Sequence, residues 1–385
     1  MKREYTSAKT KRQVPDIEPP FHGYLSGVSY FGFSQRGESH KKSKKPCQDR
    51  CAAVVLEAAH ILIVAIADGV GSCDLSDLGA YTAVHAVTDE IAKKLSERQE
   101  VALDDVFAGQ MLRAAMQYAY DKVEQMAEDN KQLMYSLQST LTAAIYDGET
   151  VYFAHAGDDG IVALTADGIL ELATIRHKGE EANSVYPLQN KSTWQFGKIS
   201  KTVAFVMATD GVLDAFVKGS AEKNRIYYPF IEPIITSDSR SSQDVQKLCQ
   251  DFYNYMSSLN YRNMVTDDLT LVAVVNHNKI HKKLLPTFDL NAWNLETSKY
   301  TQRRKAVLYP QIKAKEKEQK KEKKMPDIIE STSQDTRENK KAVKVKKKRE
   351  FPDYYIDKIL IGVAVGLIIA IMFWGYIFIK FFIPH

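Results

Sequence analysis

"ILIVAIADGVGS" runs from Ile61 to Ser72. Seven apolar residues lead without alternation into Asp68, and Gly69 follows at once. A strand with one wet face alternates apolar and polar residues, so this run reads as a strand covered on both faces. Asp-Gly ordinarily marks a hairpin turn, yet no second strand pattern follows. The same arrangement recurs in "TVAFVMATDGVLDAF", residues 202–216, where Asp210-Gly211 lies between an apolar strand and a helix-like segment. Asp147-Gly148 and Asp167-Gly168 differ: each lies between short strand patterns and reads as an ordinary hairpin.

Further strand patterns cover 24–35, 49–57, 139–146, 151–156, 160–165, 169–174 and 269–275. Helical spacing begins near Ser76, with Leu78, Tyr81, Val84, Val87, Ile91 and Leu95 on one stripe. Other helices are expected over 104–128 and 243–258. Strands come in meanders and helices in pairs, without strict alternation. The pattern predicts an α+β fold whose largely antiparallel sheets are covered by helices.

The 385 residues carry a net charge of +4, which hides a split. Residues 1–278 are net acidic and residues 279–350 net basic. Residues 1–23 read as a disordered leader; they lack the apolar run of a signal peptide. Residues 24–278 form the expected folded domain, and 279–357 a linker. From about 311 the linker is Lys/Glu-rich with almost no large apolar residue, so it cannot bury enough surface to fold. Residues 359–379 are uncharged and apolar, within an expected membrane anchor over 358–383. Lys340, Lys341, Lys344, Lys346, Lys347, Lys348 and Arg349 precede that span and only Lys380 follows it. The charge asymmetry puts the preceding domain in the cytoplasm. The basic tail lacks interleaved aromatics, which argues against nucleic acid. Four cysteines are too few for a disulfide framework and lack zinc-ligand spacing, so neutral thiols are expected.

Acids gather at the edges of the strand patterns: Asp49, Asp68, Asp158, Asp159, Asp210, Asp267 and Asp268. Carboxylates brought together this way need a cation to neutralise them. Without a histidine cluster, oxygen-only ligation favours Mg²⁺ or Mn²⁺.

In order, "CQDR" (47–50), "ADGVGS" (67–72), "STLTAAI" (139–145), "AGDDG" (156–160), "ATDGVLD" (208–214) and "TDDLTL" (266–271) resemble the motifs of the protein phosphatase 2C family, in its compact bacterial form. The resemblance implies a sandwich of two antiparallel sheets between pairs of helices. It implies metal-dependent hydrolysis of phosphoserine and phosphothreonine in proteins, with water activated between two Mn²⁺ or Mg²⁺ ions attacking phosphorus directly. Asp68 would bridge the two ions and the Gly69 carbonyl would bind one. Asp210 and Asp267 would complete one shell, and Asp49 would hold the other ion through water. Asp158 would help bind a third, weaker ion.

This chain departs from the family at three places. Gln48 stands where the family often has glutamate. Lys44 stands where a phosphate-binding arginine is usual; a lysine contributes a point charge without the bidentate fork. Val70 stands where some relatives carry a histidine, which leaves the leaving-group acid unassigned, with His40 and His155 nearby in sequence. The expected partners are phosphorylated proteins, a cognate serine/threonine kinase and its substrates, and the membrane. A catalytically weak sensor or scaffold on the same fold is the alternative that Gln48 and Lys44 raise.

Overall fold

The computed structural model describes residues 14–295, apart from 99–102, 178–184, 221–222 and 259–264, together with Ser298. The chain divides into two units, Met1–Thr297 and Ser298–His385; the first is described here. The apolar span 359–379 lies outside the described residues. Among the described residues, no helix is long and apolar enough to cross a membrane.

Two large antiparallel sheets form the centre. One orders β1 (Phe21–Leu25), β2 (Val28–Gln35), β13 (Leu269–Asn276), β10 (Thr202–Ala208), β7 (Gly160–Thr165) and β8 (Leu170–Leu172). The other orders β3 (Arg50–Leu56), β4 (Ile61–Ala67), β5 (Leu141–Tyr146), β6 (Val151–Ala156) and β9 (Gln195–Ile199). A separate hairpin joins β11 (Val217–Ser220) to β12 (Lys223–Ile226). Helices α2 (Ser76–Ser96) and α3 (Asp105–Asp129) cover the β4 sheet. Helices α4 (Asp210–Phe216), α5 (Tyr228–Ile235) and α6 (Ser242–Ser257) cover the β10 sheet.

The unalternating run of β4 now has its cause. Ile61, Ile63, Ala65 and Ala67 face the helices, whereas Leu62, Val64 and Ile66 face the opposite sheet. Both faces are dry, so every position is apolar. Each buried Ile, Val or Leu contributes about 1.5–3 kcal/mol. β10 repeats the arrangement, with Ala204, Val206 and Ala208 toward its helices and Phe205 and Met207 between the sheets.

Some elements differ from the sequence reading. The stretch 24–35 is a hairpin, broken at Ser26 and Gly27, which both take positive φ (50° and 94°). The sheet starts earlier than expected, at Phe21. Residues just before it are tied down: the Asp16 carbonyl accepts from the Cys47 amide at 3.2 Å, and the Pro15 carbonyl from Arg50 at 3.1 Å. Residues beyond Asn278 also pack. Leu284 is buried, and Phe288 packs edge-on and Trp293 tilted against Tyr227. β9, β11, β12, α5 and the short α1 (Glu38–Ser43) were not legible in the sequence. β9 has little apolar content, and α5 carries Pro233 in its interior, which opposes a helix assignment.

Antiparallel register sets the location of the acids. Arg50, first in β3, pairs with Ala67, last in β4. Leu141, first in β5, pairs with Ala156, last in β6. In the other sheet Ala208, last in β10, pairs with Gly160 and with Leu271. Residues preceding the starting strands and following the ending strands therefore collect at one end of the sandwich. Those residues include every acid named above.

Candidate metal centre

A lattice of threonines and main chain holds the acidic end together. Thr209 Oγ1 donates to Asp49 Oδ2 at 2.7 Å and accepts from the Thr270 amide at 3.1 Å, linking the two sheets. Thr140 Oγ1 accepts from the Asp68 amide at 2.7 Å and donates to Asp159 Oδ2 at 2.5 Å. The Gly69 amide donates to the Gln48 carbonyl at 3.2 Å. Fully buried Arg50 donates to the carbonyls of Cys47 and Asp49 at 2.6 and 2.9 Å. It props the Asp49 segment from beneath.

The two Asp-Gly glycines are required by crowding, not by a left-handed turn. A Cβ on Gly69 would lie 2.9 Å from the Ser76 main chain, and one on Gly211 would lie 2.1 Å from the Asp268 carbonyl. Asp210 opens α4, where a carboxylate complements the helix dipole.

The carboxyls are under electrostatic stress. Those of Asp49, Asp68 and Asp159 are all pushed well above the usual carboxylate range, in each case by desolvation first. Like charges add to it: Asp268 acts on Asp49; Asp49 and Asp210 act on Asp68; Asp158, Asp49 and Asp210 act on Asp159. The side chains of Asp49 and Asp68 come within hydrogen-bond reach of each other. No cationic side chain is among the leading influences on these three groups. Asp49 and Asp159 are buried and Asp68 is partly exposed. Asp159 Oδ1 and Gln48 Oε1 are buried without a hydrogen-bond partner.

The acid pair Asp267-Asp268 divides its work. Asp267 is exposed beside the cluster. Buried Asp268 accepts from the amides of Gly37 (2.6 Å) and Gln48 (2.5 Å) and from His40 Nδ1 (2.9 Å). That bond to Asp268 raises the His40 imidazole above its ordinary value. Asp158 is buried, and its carbonyl accepts from Arg176 Nε at 2.7 Å. Lys44 closes α1 in the left-handed region (φ 57°), with its side chain exposed. Its neighbour Lys45 donates to the Gly71 carbonyl at 3.1 Å, on the loop that follows Asp68. Asp49, Asp68 and Asp210 thus meet in one cluster with Asp159, for which the sequence suggested no role beyond a strand-edge acid. Arg50, Thr140 and Thr209 lie inside the quoted motifs, but nothing in the sequence assigned them a role.

The cysteines match the expectation of neutral thiols. All four are buried and free, and burial pushes Cys51 and Cys249 up to about 12. His155 is structural. Its Nε2 lies 3.1 Å from the Gly157 carbonyl, which only accepts, so Nε2 carries the hydrogen and Nδ1 accepts from Thr142 at 2.7 Å. Burial pulls its pKa down to about 3. The unfolded chain takes this proton near 6.5, the folded protein only near 3. Stability from the neutral ring is therefore present above 6.5 and lost as pH falls toward 3. Urea melts of His155→Gln should lose stability less steeply than wild type over that interval. An NMR signal from a charged His155 ring at about pH 5 would contradict the assignment.

Among the described residues, no three His, Cys, Asp or Glu side chains close into a ready-made metal cage. The donor set nevertheless fits hard divalent cations that keep several waters. It is all oxygen, partly desolvated and short of positive charge, with a buried carboxylate oxygen unsatisfied.

The protein phosphatase 2C family model matches residues 36–252. The chain belongs to that family, the metal-dependent serine/threonine protein phosphatases. The match stops before Asp267. No curated protein matches. Solved structures with a similar fold include a bacterial serine phosphatase, at 14% identity over 64% of this chain and 97% of that one (TM-score 0.46). The serine-threonine phosphatase 2C of Toxoplasma gondii is also similar, at 14% identity over 67% and 99% (TM-score 0.46). Stp1 of Staphylococcus aureus has 14% identity over 67% and 99% (TM-score 0.45). The family assignment rests on the sequence match, since structural similarity at this level carries no finer argument.

Proposed function

We propose that the acidic end of the sandwich is a Mn²⁺ or Mg²⁺ centre that hydrolyses phosphoserine and phosphothreonine in proteins. Convergence of the Asp49, Asp68 and Asp159 carboxyls, without a cation among their leading influences, carries this reading. Asp68, the Gly69 carbonyl, Asp210 and Asp267 would hold two ions, with Asp49 supporting one of them and Asp158 helping to hold a third. When bound, the ions supply Lewis acidity, lowering the pKa of water and neutralising phosphoryl oxygens. The chain's own residues position that chemistry. Thr209 and Arg50 fix Asp49, Thr140 fixes Asp68, and Lys44 at the rim offers a positive charge to the phosphate, with Lys45 alongside. The test is phosphate release from phosphothreonine peptides. Turnover is expected with Mn²⁺ and is expected to vanish with a chelator; undiminished turnover in chelator would defeat the metal centre. The substrates are phosphoproteins made by a serine/threonine kinase.

The same reading tethers the domain to a membrane through residues 359–379. At 1.5 Å per residue the span reaches about 31 Å, close to a bilayer core. The preceding basic cluster stays on the cytoplasmic side and is drawn to anionic lipid. Full-length protein is expected in the membrane fraction, with the phosphatase domain shielded from protease added outside intact cells. Recovery in the soluble fraction would remove the anchor, and cleavage from outside would reverse the topology.

A further inference from the structure

We infer that Asp159 is a further metal-holding carboxylate of the centre, bound directly to an ion through Oδ1. The inference rests on the metal centre proposed above. Asp159 precedes β7, whose first residue pairs with Ala208, two residues before Asp210. Register alone therefore sets it beside the Asp210 turn. Its side chain is fully buried. Oδ2 is fixed by the Thr140 hydroxyl at 2.5 Å, and the same hydroxyl accepts from the Asp68 amide at 2.7 Å. One threonine thus aligns both acids, and Oδ1 is left buried with no donor.

A purely structural acid at this place would not look like this. Accepting one hydroxyl hydrogen needs no charge, and asparagine would do it equally well. A buried carboxylate with one oxygen unpartnered and Asp49, Asp158 and Asp210 around it is unfavourable unless a cation completes it. Asparagine is therefore an informative replacement. It keeps the shape and the Thr140 acceptor, and it removes the charge.

The experiment uses the full chain, stripped with chelator and titrated with Mn²⁺ by calorimetry, with melting followed in parallel. Asp159→Asn should melt at or above wild type without metal, because the fold no longer has to bury a carboxyl among other acids. It should bind Mn²⁺ more weakly by more than the roughly 10- to 100-fold that loss of an outer-shell partner costs. Unchanged affinity, or a lower metal-free melting point with unchanged affinity, would overturn the inference in favour of a packing role. Asp159→Cys provides a second measurement should the asparagine variant fold poorly. A thiolate ligand shifts preference from Mn²⁺ toward Zn²⁺, and an unchanged preference would count against direct ligation. If wild type itself binds no Mn²⁺, the metal centre fails and the inference fails with it. Normal wild-type binding with a silent Asp159→Asn defeats the inference alone.

Discussion

Asp68→Ala and Asp210→Ala are each expected to lower phosphopeptide turnover by several orders of magnitude, even at saturating Mn²⁺. Each substitution removes a negative charge that holds the ions where phosphate is attacked. Stability should respond in the opposite direction when metal is absent. The Asp68 carboxyl is pushed up by desolvation, then by Asp49 and Asp210. Neutralising it relieves repulsion, so Asp68→Asn should melt at or above wild type in chelator and gain less from added Mn²⁺. Peptide turnover and paired melts, with and without metal, check both halves. Near-normal turnover by either alanine variant would place the chemistry elsewhere.

Asp268→Ala is expected to destabilise the protein by about 3–5 kcal/mol, whether or not metal is present. Buried Asp268 serves the amides of Gly37 and Gln48 and the His40 ring. Removing it leaves three buried or half-buried donors without their acceptor, each costing about 1–3 kcal/mol before relaxation. It also frees the segment that carries Asp49. Asp267→Ala next door should behave in the reverse manner. Asp267 is exposed, so its loss should barely move urea unfolding in chelator while weakening Mn²⁺ binding. Two adjacent aspartates with equal stability effects would refute this division.

The acidic end is a place where local order misleads about role. "AGDDG" and "TDDLTL" each present two adjacent acids, and a linear pattern gives no physical reason to separate them. Both acids of the first pair are buried, and the Thr140 hydroxyl fixes the Asp159 carboxylate; in the second pair Asp267 is exposed, whereas buried Asp268 is fixed by the amides of Gly37 and Gln48. Thr140 and Arg50 lay inside quoted motifs without a role, because a threonine or arginine beside a strand is ordinary until its partner is known.

Periodicity by itself determined the long elements. β4, β10, α2, α3 and α6 were readable because burial on one or both faces imposes a repeat on the residues themselves. The unalternating runs before Asp68 and Asp210 already implied strands dry on both faces, and hence a layered fold. Short edge elements were not readable, since β9 has little apolar content to display a period and α5 contains prolines. Which acids meet was decided only by the tertiary structure. Asp49 and Thr209 are 160 residues apart, and Gln48 and Asp268 are 220 apart. Their contact exists because antiparallel register gathers the strand ends of both sheets at one end of the sandwich, a long-range pairing that no local repeat encodes.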